Sequence, residues 1–580
     1  MKPATTSLVF ILCALFDPSW GVVQRGSKSP TCRNIPGSAG YPSATAWDAF
    51  NASISGRLVN VVPSAKYCAN LPGGPCTDAQ WTSSLFRSTI PGAMDQINWE
   101  QGYDLNPPSL CLRNATTCGQ GDVPVYSVEA ETVADIQAGV KFAGKQNLRM
   151  AVKSSGHDLL GRSTAPNSLL IHTSTFQDIS FTDAFYVGSK NKGSAVTIGT
   201  GVHANTLYER SKENGKIVVA AAAGTVCPAG GYVQGAGHSA LSPLLGLGAD
   251  NALEFKVVIA SGELLQVNDF SHPDLFYALR GGGAGSWGVI VSATFRTYPT
   301  FNATTSTILL NVANHTVAGA LSTVHAQHIF DWDSVHASQY FGLAQNATAE
   351  NPESAVLGLS TTMPHTTVEQ SKALMAPFMD AALALPGVTL VSQDFHYGNI
   401  NDALFQADDD AGTNGVLGSR LIPEATYRDS PEKVGPVYKK LLDGGAALIG
   451  GIMLAVHSVA GKVAENAHVS SAVHPAWRTA KTHVIVTNGW EDSASLAEIR
   501  TLRRAFQATQ LPVLERLSGL NAGAYSNEGD VLEPHFQTVF FGPNYAKLSA
   551  IKEKYDPGDL FIVGAGVGSE RWDEWGVCKV

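Results

Sequence analysis

The polarity pattern between residues 123 and 298 changes period several times. "VPVYSV" reads as an extended segment. "ETVADIQAGVKFAGKQN" follows it with apolar residues at Val133, Ile136 and Val140, one face of a helix that Thr132 can cap. "LRMAVKS" and "AVTIGTG" predict strands, "ANTLYERSKENG" a helix closed by Gly215, and "KIVVAAAAG" another strand. From about Phe301 the composition shifts, and strands such as "SAVLGLSTTM" alternate with helical "VEQSKALMAPFMDAALAL". The run Gly444–Val456, "GGAALIGGIMLAV", is too short and too glycine-rich to span a bilayer and reads as a buried core segment. In "NYAKLSAIKEKYDP", Leu548, Ile551 and Tyr555 share a helix face that Asp556-Pro557 terminates. Helical and strand periods are interspersed, so the chain is α+β, and its strands are spaced too irregularly for a repeat array.

Length and composition narrow this picture. At 580 residues the chain exceeds one compact core. With 44% apolar and 15% charged residues it is globular, and a net charge of −10 leaves no basic stripe for nucleic acid. At the N-terminus a lysine precedes a short apolar run, Ser7–Phe16, which Asp17-Pro18 breaks. That is the layout of a cleaved secretory signal over residues 1–21, with no bilayer span expected elsewhere. Asn51, Asn114, Asn302, Asn314 and Asn346 each open an N-x-Ser/Thr sequon, which favours a glycosylated, extracellular protein. Outside the signal, Cys68/Cys76 and Cys111/Cys118 are close pairs suited to short disulfide loops. Cys32 and Cys578 could then tie the two ends, by elimination only, and Cys227 is left over; the pairing itself cannot be derived from the sequence.

Candidate chemistry begins at "RMAVKSSGHD". The strand-like run ends in Ser154-Ser155-Gly156, and His157 stands in the turn and not on an apolar face. Two glycine clusters lie downstream. "GAGSWG", Gly283–Gly288, fits G-x-G-x-x-G, but a dinucleotide site needs a strand before it and a helix after it. Here helix-like "HPDLFYALR" precedes and strand-like "VIVSATFRTY" follows, so that reading fails. The other cluster, "CPAGGYVQGAGHSALSP", either makes turns or lets the backbone approach a ligand.

Together "KSSGHD", "AGGYVQGAGHSALSPLLGLGADNALEFKVV", "DLFYALRGGGAGSWGVI" and "FFGPNYAKLSAIKEKYDPGDLF" resemble, in this order, the berberine-bridge-enzyme-like secreted FAD-linked oxidases of the vanillyl-alcohol-oxidase superfamily. The fungal members akin to isoamyl alcohol oxidase are the most similar. The resemblance runs from about Cys32 to the end. It implies a two-part PCMH-type FAD-binding domain, made of two α/β subdomains, interrupted by a substrate domain of antiparallel sheet covered by helices. The corresponding boundaries are an N-terminal disulfide-containing segment over 22–122, the FAD domain over 123–300, the substrate domain over 301–511, and a C-terminal segment over 512–580 that returns to the FAD domain.

The resemblance also implies site residues. His157 matches the histidine bonded covalently to the flavin, and a neutral imidazole is a competent nucleophile near neutral pH. Ser154, Ser155, Gly156 and Asp158 are expected around the cofactor, Gly230, Gly231, Gly235 and Gly237 beside its ring, and His238 bracing that loop. Val258–Gly262, Gly288 and Ile290 match stretches near the adenine and ribose. Many relatives attach the flavin a second time through a cysteine, which in this register falls at Ala223. Cys227 occupies a position that is usually glycine, so a single link through His157 is favoured over a second through Cys227.

On the substrate side His483, in "KTHVIVTNGW", matches the position of a proton-accepting residue and shares a strand face with Ile485 and Thr487. A purely structural histidine is the alternative reading there. Tyr525 and Asn527 in "GAYSNEGD" are expected to orient substrate. A small Ala229 before the Gly-Gly pair suits access of dioxygen. The expected protein is a monomeric oxidase with a small-molecule substrate and O2 as partners and no metal. The alternatives are an oligosaccharide oxidase of the same fold and a secreted glycoprotein that has lost catalysis. The substrate is not encoded in any local pattern.

Overall fold

The computed structural model describes residues 31–454, 461–520 and 522–580. The signal expected over 1–21 and the end of the apolar run at Val456 lie outside the described residues.

The first sheet carries the histidine turn. It contains β1 (Leu58–Asn60), β2 (Tyr126–Glu129), β3 (Met150–Lys153) and β4 (Leu169–His172) in the order β1-β2-β4-β3. β2 and β3 run parallel to β4, and β1 is antiparallel to β2. Parallel strands need a crossover, and the helix Val133–Lys145 supplies it between β2 and β3. Thr132 and Asp135 form its capping box: each side chain accepts from the other's backbone N–H, at 3.3 and 2.9 Å. Its buried face, Ile136, Val140 and Ala143, packs with Val128 and Ile171 of the sheet. The N-terminal helix Ala44–Ser53 covers the same core, where Phe50 stacks on Phe142 at 4.2 Å.

The second sheet is antiparallel: β5 (Ile179–Val187), β6 (Lys190–Gly199), β7 (Lys216–Val218), β8 (Ala252–Val258), β9 (Leu264–Asn268) and β10 (Val289–Pro299), in the order β5-β6-β10-β8-β9. The strand expected over 216–224 is shorter than its apolar run. β7 pairs only with Thr297–Pro299, past the point where the β8 pairing of β10 ends at Phe295. Val219–Ala223 therefore leaves the sheet. "GAGSWG" lies after the helix Pro273–Leu279 and before β10, the reverse of a dinucleotide fingerprint, as the sequence implies.

The third sheet has seven antiparallel strands: β11 (Asn302–Val312), β12 (Ser338–Gln345), β13 (Ala355–Pro364), β14 (Val388–Asn399), β15 (Asn414–Pro423), β16 (Leu448–Met453) and β17 (Ala480–Trp490). Their order is β14-β11-β13-β12-β16-β17-β15. The glycine-rich apolar run is β16, an interior strand between β12 and β17. Helices His315–His328, Val368–Leu383 and Val434–Asp443 join its core through Leu321, Phe378 and Leu441. This unit extends past the boundary expected at 511. The helix Leu511–Ser518 continues from a turn over Phe506–Gln510 and buries Leu511, Leu514 and Leu517 in the same core. The C-terminal helix Tyr545–Tyr555 buries Leu548, Ile551 and Tyr555, as its pattern requires, and joins the core of the second sheet.

Disulfides link Cys68–Cys76, Cys111–Cys118 and Cys32–Cys578, and Cys227 is free and buried. Among the described residues no helix is long and apolar enough to cross a membrane. Of the sequon asparagines, Asn114, Asn302 and Asn346 are exposed and Asn51 and Asn314 partly so. Asn314 uses only its Oδ1 as a helix cap.

Candidate active site

β3 ends at Lys153, whose buried amine donates to the carbonyls of Ile90, at 2.7 Å, and Ala93. Burial lowers its pKa to about 8, against the opposing pull of Asp95 and Glu100. The chain then turns at Gly156, with φ +90°. A Cβ there would stand 2.8 Å from Lys153 Cε and 3.1 Å from the Ala93 carbonyl oxygen, so only glycine fits. His157 follows. Asp158 shapes the next turn, accepting from the N–H groups of Leu160 at 3.1 Å and Ser163 at 2.6 Å.

A second turn, Cys227–Tyr232, lies against the first. A Cβ on Gly230 would meet Ser154 Oγ at 2.7 Å. Between these turns is a cavity of 480 Å³, within the range of ligand and cofactor pockets. Ser154, Ser155, Gly156, His157, Asp158, Gly230, Gly231, His238, Gly288, Ile290, Tyr525 and Asn527 all line it, as do Ala223 and Cys227.

Four of the expected positions are not in this lining. Gly235 and Gly237 do not line the cavity. Their missing side chains make room for Asn527, 2.4 Å from a Cβ on Gly235, and for the Tyr232 ring, 2.7 Å from one on Gly237. Val258–Gly262 also lies outside the wall: Val258 packs under β10 and Gly262 accepts from Gln137. Ala229 is fully buried in the core of the second sheet and has no access to the cavity.

His483 is likewise behind the wall and not in it. β17 carries it into a fully packed position, 1% exposed, stacked on Trp477 at 5.6 Å. Burial lowers its pKa to about 4, so the ring is neutral. Its Nδ1 is 3.4 Å from Glu528 Oε2, while Nε2 is buried without a partner.

Glu528, one residue past Asn527, is the carboxylate that sequence reasoning passed over. Its Oε1 accepts from His238 Nε2 at 3.0 Å, and it lines the cavity with 24% of its side-chain surface exposed. Burial pushes its pKa up. His238, with His483 behind it, overcomes this and holds the carboxyl at about 2. His238 Nδ1 in turn lies 3.3 Å from the hydroxyl of Tyr340, a cavity residue on β12 that no local motif marks. Burial raises the Tyr340 phenol well above its usual range. The arrangement is a relay: carboxylate, imidazole, phenol, cavity. A carboxylate on Nε2 fixes the imidazole tautomer and leaves Nδ1 free to take a proton from the phenol.

The wall suits a flavin. Alanine and glycine at 221–223, 230–231 and 284–285 leave it thin, as a planar ring needs. Three lining residues, Arg162, Thr200 and Gln234, each hold a buried polar atom without a hydrogen-bond partner: Nε, Oγ1 and Oε1. Cys227 is less suited to bond formation, since burial pushes its thiol up to about 12 despite hydrogen bonds to Ser154 and Ser155.

Comparison with known proteins agrees. Residues 124–268 match the FAD binding domain family, and 524–568 match the berberine and berberine-like family. An uncharacterized FAD-linked oxidoreductase of Arthroderma benhamiae is 35% identical, over 96% of this chain and 97% of its own length. The FAD-linked oxidoreductase patO of Aspergillus clavatus is 32% identical, over 94% of each chain. Among solved structures, the VAO-type flavoprotein MtVAO615 of Myceliophthora thermophila C1 superposes with a TM-score of 0.83 at 28% identity, covering 95% of this chain and all of the other. A chitooligosaccharide oxidase, at 15% identity and a TM-score of 0.61, shares the fold, with 90% of this chain and 99% of that one covered. The chain belongs to the berberine-bridge-enzyme-like branch of the vanillyl-alcohol-oxidase flavoproteins and is an FAD-linked oxidoreductase.

Proposed function

We propose that the protein is a secreted oxidase of a small alcohol or secondary metabolite, carrying FAD bound covalently through His157 alone. Bound FAD supplies the electron acceptor, taking hydride from a C–H next to oxygen or nitrogen and passing electrons to dioxygen to give hydrogen peroxide. The observation that carries this reading is one cavity lined both by the His157 turn and by the Tyr340–His238–Glu528 relay. A hydride donor must also lose a proton. Tyr340 Oη takes it from the substrate hydroxyl or amine while its own proton moves to His238 Nδ1. The imidazolium so formed sits against the Glu528 carboxylate.

His483 is a positioning residue: its Nδ1–H holds the second oxygen of Glu528. Asn527, which donates to Gly231 O at 2.9 Å and Tyr525 Oη at 3.0 Å, fixes the adjoining wall. A cavity of 480 Å³ shared with the cofactor ring favours a small substrate over an oligosaccharide, which needs an open aromatic groove. Secretion and glycosylation are supported by the three disulfides and the three exposed sequons.

The test is direct. Protein precipitated with acid should stay yellow, and the tryptic peptide bearing His157 should carry the flavin mass. His157→Ala should release the flavin and Cys227→Ser should not. Peroxide should appear with a panel of small alcohols and amines. Colourless wild-type precipitate would refute the covalent link, and peroxide from oligosaccharides alone would refute the substrate class.

A further inference from the structure

Two carboxylates from distant parts of the chain converge on His157. Its Nε2 is 3.9 Å from Asp95 Oδ2 and 3.9 Å from Asp409 Oδ2. Asp95 belongs to the N-terminal segment, and Asp409 to the loop between the helix Ile400–Leu404 and β15. Both side chains are buried. Hydroxyls join them behind the ring: Ser84 Oγ donates to Asp95 Oδ2 at 2.6 Å and lies 2.8 Å from Thr225 Oγ1. Thr225 donates to Asp409 Oδ2 through its hydroxyl and, at 2.7 Å, its N–H. The main chain sets the spacing. Asp95 N–H donates to the Gly156 carbonyl at 3.2 Å, and the Asp95 carbonyl accepts from Gly412 N–H at 2.7 Å. One residue thus ties the histidine turn to the loop of the inserted unit.

Burying two carboxylates side by side is costly unless a cation or a donor lies between them. Lys153 is turned to the Ile90 and Ala93 carbonyls, and Asp95 Oδ1 is buried without a partner. Asp409 also accepts from Gly224 N–H at 3.2 Å, and two imidazoles lie beside the pair: His203, on which both acids act, and His157, whose Nε2 is equidistant from the two carboxylates and lines the cavity.

We propose that Asp95 and Asp409 are positioning residues for covalent loading of the cofactor: they hold His157 as its Nε2–H tautomer, leave Nδ1 as the nucleophile, and stabilise the positive charge the ring acquires as its bond forms. This rests on the covalent attachment proposed above. In the step, Nδ1 bonds to the flavin 8α carbon, one C–H bond there breaks, and Nε2 gives its proton up towards the carboxylates. Two electrons pass into the ring system, and dioxygen removes them, with the two protons, as hydrogen peroxide. The logic is that of a carboxylate orienting a catalytic imidazole. Because Asp409 comes from the inserted unit, loading waits until that unit has docked on the FAD domain.

Full-length wild type, Asp95→Asn, Asp409→Asn and the double variant would be purified and completed with FAD in air. The readout is the fraction of bound flavin that survives acid precipitation, followed in time, with the mass of the His157 peptide. Each single variant should load at least about tenfold more slowly at unchanged total flavin, and the double variant should stay non-covalent. Asp183→Asn, which alters an exposed acid paired with Lys216 at 2.8 Å, should load like wild type. If the asparagine variants fail to accumulate, Asp95→Glu and Asp409→Glu keep the charge one methylene displaced and should still load slowly. Wild-type loading rates in the asparagine or glutamate variants would overturn the proposal while leaving the covalent link intact. A wild type with no covalent flavin would overturn the link itself, and this proposal with it.

Discussion

Tyr340, His238 and Glu528 are far apart in the chain, yet their polar atoms form one line at 3.3 and 3.0 Å. In the proposed mechanism they take the proton-accepting role expected of His483, for a physical reason. A ring 1% exposed, with its pKa near 4 and its free nitrogen buried, has no route to a substrate. Tyr340→Phe removes the oxygen at the end of the relay and keeps the ring. It should lower kcat by about 10²–10⁴-fold, the usual weight of a general base. Flavin content should stay at wild-type level, measured by absorbance after acid precipitation. A kcat within about threefold of wild type would remove Tyr340 from the mechanism. The signal that could have flagged Glu528 is its place one residue past Asn527 in "GAYSNEGD", a segment already singled out for the site. Tyr340 gives no such signal, because an aromatic residue on a strand is ordinary.

The elements place these residues through short-range rules that are readable and long-range pairings that are not. The turn after β3 depends on one residue without a side chain. Gly156→Ala puts a methyl at φ +90° and 2.8 Å from Lys153 Cε, which costs about 1–3 kcal/mol. The variant should melt earlier and retain less covalent flavin, because the clash moves the turn that carries His157. Calorimetry and the acid-precipitation assay check the two effects separately. The cap at Thr132, the face of the helix Tyr545–Tyr555 and the reversed order around "GAGSWG" all follow from neighbours within about four residues. The early end of β7 does not, since β10 offers it only Thr297–Pro299 beyond its pairing with β8. The continuation of the inserted unit to Ser518 was also hidden, because Leu511, Leu514 and Leu517 have the spacing of any buried helix.

Taken as one body, the protein should lose stability in mild acid. His325 lies in the core of the inserted unit against Trp332, Phe341 and Phe378. Burial lowers its pKa from 6.5 to about 4, the Gln339 hydrogen bond opposing and Lys481 adding to the shift. His483 behaves alike. The unfolded chain takes up a proton on each ring near pH 6.5, and the folded chain refuses it until about pH 4. Stability is therefore complete above pH 6.5 and falls as pH drops towards 4, by about 3 kcal/mol for each ring. Denaturant midpoints measured between pH 7 and 4 should fall, and His325→Gln should flatten the slope. A slope unchanged by His325→Gln would contradict a buried neutral histidine there, whereas the total slope also carries the opposite contribution of buried Asp122, raised to about 7. The Cys32–Cys578 bridge joins the two ends of this body, a pairing the sequence offers only by elimination and does not fix, since Cys227 is also left over.

Local order was written in the residue string: the strand and turn presenting His157, the helix faces, the short disulfide loops and the overall α+β class. Each depends on backbone preference or apolar period within a few neighbours, and such preferences need no knowledge of the rest of the chain. The chemistry around the cavity was not written there. Asp95, His157 and Asp409 meet at 3.9 Å, and Tyr340 reaches Glu528 through His238, only because three sheets dock against one another. Burial then decides which of these groups are charged and which stay neutral, since desolvation is a property of the packed neighbourhood and not of the residue.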